Sequence, residues 1–220
     1  MDADQLQDWL ELAERKLKEA FGARLLFLGL QGSRGRGEGR TDSDIDLVVI
    51  LDRVDREDWS TYRAVLAEMP SRELACGFFS GAAQLANWDR ADLFQFVHDT
   101  TPILGDLACV APAPGRAEAA RALHQAACGL YHAAGHNLLH GRSVPVLAGQ
   151  YRAVAFALRA KHFLETGCFL RTAAELDEAL QGADLAVLRG GVGLSEENLE
   201  ERSLLLLQWA GDLVEGAALL

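Results

Sequence analysis

The chain's 220 residues are long enough for one large or two typical domains. Half of them are hydrophobic, 24% are charged and only 5 are proline, which excludes a disordered, collagen-like or fibrous protein. With 21 Lys and Arg against 32 Asp and Glu, the net charge of −11 excludes a broad nucleic-acid-binding surface, so any anionic ligand must be held by a local feature.

From Gln5 to Phe21, the apolar residues Leu6, Trp9, Leu10, Ala13, Leu17 and Ala20 recur at the helical period, and Gly22 closes that helix. Arg24 to Leu30 and the β-branched run Ile45 to Leu51 read as strands covered on both faces. A helical stripe through Trp59, Tyr62, Val65, Leu66 and Met69 stops at Pro70, and Leu74 to Phe79 reads as a third strand. Residues 89 to 98 read as a helix, followed by a short extended stretch at Ile103 and Leu104. The run Ala111-Pro112-Ala113-Pro114-Gly115 breaks every periodicity and divides the chain into residues 1–112 and 113–220. Beyond it, helical periodicity is seen over 116–141, 144–166, 172–181 and 195–218, with Thr172 and Glu175 spaced as a capping box. The expectation is an α+β domain with a sheet, followed by an all-α helical bundle. No internal repeat is visible.

Cys76, Cys109, Cys128 and Cys168 form no C-x-x-C pair and read as reduced, buried thiols. The N-terminus has no basic region and no apolar run is long enough to span a bilayer, so the reading is a cytoplasmic protein without a membrane partner.

The informative stretch has four glycines, Gly32, Gly35, Gly37 and Gly39, within eight positions. It runs from Gly32-Ser33 through ten residues to Asp44-Ile45-Asp46. Alternate strand residues point to one side, so Asp44 and Asp46 present two carboxylates on one face. Two anions so close repel each other unless a cation joins them, and hard oxygen ligands suit Mg²⁺ or Mn²⁺ with a substrate phosphate. Gly32 and Ser33 follow a strand where a helix should begin, a place where backbone amides can meet phosphate oxygens. Arg34, Arg36 and Arg40 add positive charge to the same loop. Neither a P-loop lysine nor a G-x-G-x-x-G spacing is present. Alone, the Arg-Gly alternation would read as a flexible loop; strand, Gly-Ser turn and Asp-x-Asp strand together point to a phosphate and metal site.

Gly32-Ser33, the ten-residue spacer and Asp44-x-Asp46 resemble the signature of the DNA polymerase β-like nucleotidyltransferase superfamily, in particular its minimal and kanamycin-nucleotidyltransferase types. The match is strongest over residues 22 to 51. Beyond it, Cys76 to Gly81, Leu85 to Trp88, Asp92 to Phe96 and Thr101 to Leu107 are similar to bacterial nucleotidyltransferase domain-containing proteins. The helical half resembles the substrate-binding domain of kanamycin nucleotidyltransferase and the related HEPN domains, without the Arg-to-His spacing of HEPN ribonucleases.

The resemblance implies a mixed sheet flanked by helices, in which Asp44 and Asp46 bind Mg²⁺ or Mn²⁺ and Gly32, Ser33 and Arg34 or Arg40 bind a nucleoside triphosphate. It implies transfer of a nucleoside monophosphate, AMP from ATP, to a small-molecule or protein acceptor held between the domains, with release of pyrophosphate. It further implies a third catalytic carboxylate on the next strand, where residues 72–79 offer only Glu73. Glu165 is the alternative base, and His132 and His136, which share a helical face with His140, are candidate acceptor contacts. The rival readings are a catalytically weak or inactive nucleotide-binding module, such as an antitoxin-like partner, and a protein AMP-transferase. Surplus apolar surface around Leu204 to Leu207 would suit a homodimer.

Overall fold

The computed structural model describes residues 1–216. These form two compact units, Met1–Asp89 with Phe96–Ala113, and Arg90–Gln95 with Pro114 onward.

The first unit opens with helix α1 (Ala3–Phe21), which starts at a reciprocal capping box between Asp2 and Gln5 and stops at Gly22 in a positive-φ conformation. Strand β1 (Leu25–Gln31) leads into a single turn of helix, α2 (Gly32–Gly35), and the chain then loops back to β2 (Ile45–Leu51). Asp55 and Asp58 cap α3 (Arg56–Ala67), after which the chain enters β3 (Ala75–Gly81) and the short α4 (Ala82–Ala86). Helix α5 (Arg90–Asp99) follows, with its last four residues in this unit, and β4 (Thr101–Leu104) completes the sheet.

The sheet order is β3-β2-β1-β4. β1 is antiparallel to both β2 and β4, while β2 and β3 are parallel, so the sheet is mixed as expected. Strand alternation assigns the faces. Ile45, Leu47, Val49 and Leu51 join Trp9, Leu10, Leu17, Leu28 and Tyr62 in one core. Val48 and Ile50, fully buried on the opposite face, continue the row on which Asp46 stands. Phe79 anchors β3 to α3 by stacking on Tyr62 at 4.5 Å and meeting Trp59 edge-on at 5.0 Å.

The second unit is helical throughout. Its helices are α6 (Arg116–His136), extended by a π-helical turn at Asn137–Gly141, then α7 (Val144–Thr166), α8 (Ala173–Ala179), α9 (Gly182–Gly190) and α10 (Leu199–Gly216). Leu123, Leu130, Leu147, Val154, Leu158, Leu206 and Trp209 fill its core. The capping box forms at α8, with Glu175 N–H donating to Thr172 Oγ1 at 3.1 Å and Thr172 N–H to Glu175 Oε2 at 2.8 Å. Two short helices, α4 and α9, have no counterpart in the sequence reading, because five and nine residues give the helical period too few turns to show. The predicted 195–218 helix begins at Leu199, and positions 217 and 218 lie outside the described residues.

One expectation needs correction. All four thiols are free of disulfides, but each is exposed rather than buried. Among the described residues no helix is long and apolar enough to cross a membrane.

Candidate active site

The site lies in the first unit, at the end of β1 and the start of β2. Asp46 is half-buried and pairs across the sheet with Gln31 on β1 and Cys76 on β3, whereas Asp44 is exposed one residue before β2 begins. Gly32, immediately after β1, has φ +68°, and a Cβ added there would fall 2.0 Å from Asp46 Oδ2. Only glycine permits this contact, so the turn lies directly on the carboxylate. Gly35 is also closely packed, since a Cβ there would meet the Leu30 carbonyl oxygen at 2.5 Å.

Burial pushes the Asp46 carboxyl above the usual carboxylate range, the negative charges of Asp44 and Asp99 push it further, and Arg36 opposes them. Asp46 therefore stands in an excess of negative charge that a cation would relieve. The donors are hard carboxylate oxygens of the kind Mg²⁺ or Mn²⁺ takes, and the contact with Gly32 places them against the turn. Among the described residues no group of three or more His, Cys, Asp or Glu is placed to hold a metal ion.

The three arginines of the loop divide their work unequally. Arg34 is buried, with Nε donating to the Ser43 carbonyl at 3.0 Å and Nη1 to that of Met1 at 3.3 Å, so its guanidinium holds the loop backbone. Arg40 is exposed, and its backbone N–H donates to Ser43 Oγ at 2.9 Å. Arg36 is the arginine whose charge reaches Asp46. Burial works against its own charge, but hydrogen bonds to Glu38 and Asp99 outweigh this and hold its pKa above the ordinary value. Ser33 is half-buried inside the turn, with its carbonyl accepting from Glu38 N–H at 2.7 Å. At four residues the turn is too short to carry much helix dipole.

Glu73 is exposed on a 3-10 turn (Arg72–Leu74) that precedes β3. The β3 residue directly beside Asp46 is Cys76, a thiol rather than a carboxylate, on the same face. The third carboxylate felt by Asp46 is Asp99, 63 residues from Arg36 in the chain. Local spacing gives no sign of such a partner.

Glu165 lies in the helical unit. It forms an ion pair with Lys161 at 2.9 Å, and it lines a cavity of about 240 Å³ with Leu123, His124, Lys161 and Asp212. Burial disfavours the Lys161 ammonium, but Asp184 and Glu165 outweigh it and raise the pKa. His132, His136 and His140 are exposed along α6 and its π-helical extension, with ring centroids 6.4 and 5.0 Å apart. The structure thus gathers Gly32, Ser33, Asp44 and Asp46 at one place, with Arg36 and Asp99 beside them.

Residues 10–93 match the family model of the nucleotidyltransferase domain. Over this segment the chain is similar to nucleotidyltransferase domains. The matched segment contains the Gly32-Ser33 turn, Asp44, Asp46 and Glu73, and ends before Asp99. Such a domain is that of a nucleotidyl-transferring enzyme. Among solved structures, the fold is similar to spectinomycin adenyltransferase AAD(9) from Enterococcus faecialis, determined with ATP and spectinomycin, at a TM-score of 0.58 and 13% identity. The similarity covers 95% of this chain and 99% of that one, so it extends through the helical unit. No curated protein matches the sequence.

Proposed function

We propose that this nucleotidyltransferase domain transfers AMP from ATP to a small-molecule or protein acceptor in the cytoplasm and releases pyrophosphate. The observation that carries this reading is the contact of the Gly32-Ser33 turn with Asp46, beside Asp44 and with Arg36 as the nearby cation. The similarity to an adenyltransferase solved with ATP and spectinomycin supports the same donor and an acceptor other than a nucleic acid. Four free thiols fit a reducing compartment.

In this reading Asp44 and Asp46 hold Mg²⁺ or Mn²⁺, which when bound withdraws charge from the phosphate oxygens. Gly32 and Ser33 orient the triphosphate through backbone amides and the hydroxyl. Arg36 offsets charge on the leaving pyrophosphate, a role for which Arg40 is a second, exposed cation and Arg34 is already engaged with backbone. An acceptor oxygen forms a bond to the α-phosphorus as the bond to the α,β-bridging oxygen breaks. The bonding pair leaves with pyrophosphate, and a hydroxyl acceptor's proton passes to a carboxylate. Glu73 and Glu165 are the proposed bases, with His132 and His136 proposed to contact the acceptor.

The test is pyrophosphate release from ATP and Mg²⁺ with a panel of small-molecule and protein acceptors. Wild-type protein should turn over, and Asp44→Asn with Asp46→Asn should lose at least ~10³-fold in rate while keeping its far-ultraviolet circular dichroism. Unchanged Mg-ATP binding in the double variant would overturn the assignment.

A further inference from the structure

Three consecutive residues grip the nucleotide turn from outside it. Thr100 Oγ1 accepts from Gln31 Nε2 at 2.7 Å, just before the turn, and the same Nε2 donates to the Phe96 carbonyl at 3.1 Å. Thr101 Oγ1 donates to the Gly35 carbonyl at 2.8 Å, within the turn. Just after the turn, Arg36 Nη1 donates to both Asp99 oxygens, at 2.9 and 2.8 Å. Asp99, Thr100 and Thr101 thus brace Gln31, Gly35 and Arg36, and the charged bond of the three is well shielded, its side chains being only 14% and 9% exposed.

We propose that Asp99 is a positioning residue for nucleotide binding, acting through Arg36 on the Gly32–Gly35 turn. Arg36 Nε is also fixed, donating to Glu38 at 2.9 Å, so two carboxylates hold the guanidinium from two sides. A guanidinium fixed at two of its nitrogens keeps one plane and one direction, and the ordering cost is met in folding rather than when the ligand binds. Thr100 and Thr101 supply neutral bonds of ordinary strength, while the Asp99 bond is charge-assisted and about twice as strong. Removing the Asp99 charge leaves the turn attached at two points but leaves Arg36 held through Glu38 on one side, without the charged anchor that fixes its direction. Asp99 touches neither phosphate nor metal in this assignment. It sets where Arg36 stands.

The proposal rests on the nucleotidyltransferase reading, and the experiment separates the two. Mg-ATP binding is titrated for wild type, Asp99→Asn and Asp99→Glu, with Mn²⁺ alone as a second probe and thermal midpoints alongside. Absence of Mg-ATP binding by the wild type would overturn the functional reading itself. Given wild-type binding, Asp99→Asn should weaken Mg-ATP affinity by ten-fold or more, Asp99→Glu should recover part of that loss, and Mn²⁺ affinity should change less than three-fold. Amide hydrogen exchange over residues 32–36 should also quicken in unliganded Asp99→Asn. A lowered midpoint with unchanged Mg-ATP affinity would reduce Asp99 to a stabilising ion pair and overturn the proposal. An equal loss of Mn²⁺ affinity would make it a metal ligand, which overturns the proposal too.

Discussion

The Gly32 to Asp46 segment and the outer face of α6 both concentrate polar side chains, but they are built differently. On α6, His132, His136 and His140 recur every four residues, are exposed and line up because the helical period places them together. Around Asp46, the neighbours come from β1, the turn after it, the loop beyond and the end of α5, and a carboxylate lies directly against a glycine. A periodic stripe needs only one element. A site whose charges are shielded and cross-braced needs several elements to agree, and the perturbed Asp46 shows that cost.

Alanine at a glycine on each side should expose the contrast most strongly. Gly32→Ala puts a Cβ 2.0 Å from Asp46 Oδ2 at a φ of +68°. It should lower pyrophosphate release at least ~100-fold and destabilise the unit by about 1–3 kcal/mol in denaturant melts. Gly129→Ala on α6, where an added Cβ meets nothing within 4 Å, should instead stabilise its helix by about 0.5–1 kcal/mol.

A smaller effect concerns an ion pair away from the site that uses the same cross-element bracing. Arg24 Nη1 and Nη2 each donate to one oxygen of Asp58 at 2.8 Å, and Asp58 also accepts from the Asp55 N–H at 2.9 Å. The Arg24 hydrogen bond, against the opposing effect of burial, holds the Asp58 carboxyl below the usual carboxylate range. A depressed folded-state pKa gives stability that is present above the unfolded value of about 4 and is lost as pH falls through the folded one. Thermal midpoints of wild type should therefore fall on acidification from pH 5 downward, and Asp58→Asn should show a lower midpoint at pH 7 with a flatter acid limb. The smallest change belongs to the stripe. His132→Ala with His136→Ala should shift stability by less than about 0.5 kcal/mol, the usual range for exposed positions; a larger loss in a denaturant melt would show that the stripe is packed.

Much of the fold is legible along the chain because its signals are local. The stripe from Leu6 to Leu17 lies on α1, the run Ile45–Leu51 is β2, and Thr172 with Glu175 caps α8. The Gly-Ser turn and the Asp-x-Asp strand are legible for the same reason, since each rests on neighbours in sequence. Other features are not. Arg34, Arg36 and Arg40 are alike in composition, yet only the fold sends the first to backbone carbonyls, the second to Asp99 and the third to the surface. The thiols read as buried for their type, while packing leaves all four exposed.

By itself, then, the sequence determined the elements, the mixed α+β character followed by helices, and the two carboxylates facing a glycine-serine turn. Periodicity and alternation act over a few residues, so they are written directly in the chain. Only the tertiary structure decided that Cys76 stands beside Asp46 where an acid was expected, that Glu73 lies on the turn before the strand, and that Asp99 meets Arg36. Strand register and a contact across 63 residues are fixed by which surfaces bury one another, and that choice is made by the whole core rather than by any local spacing.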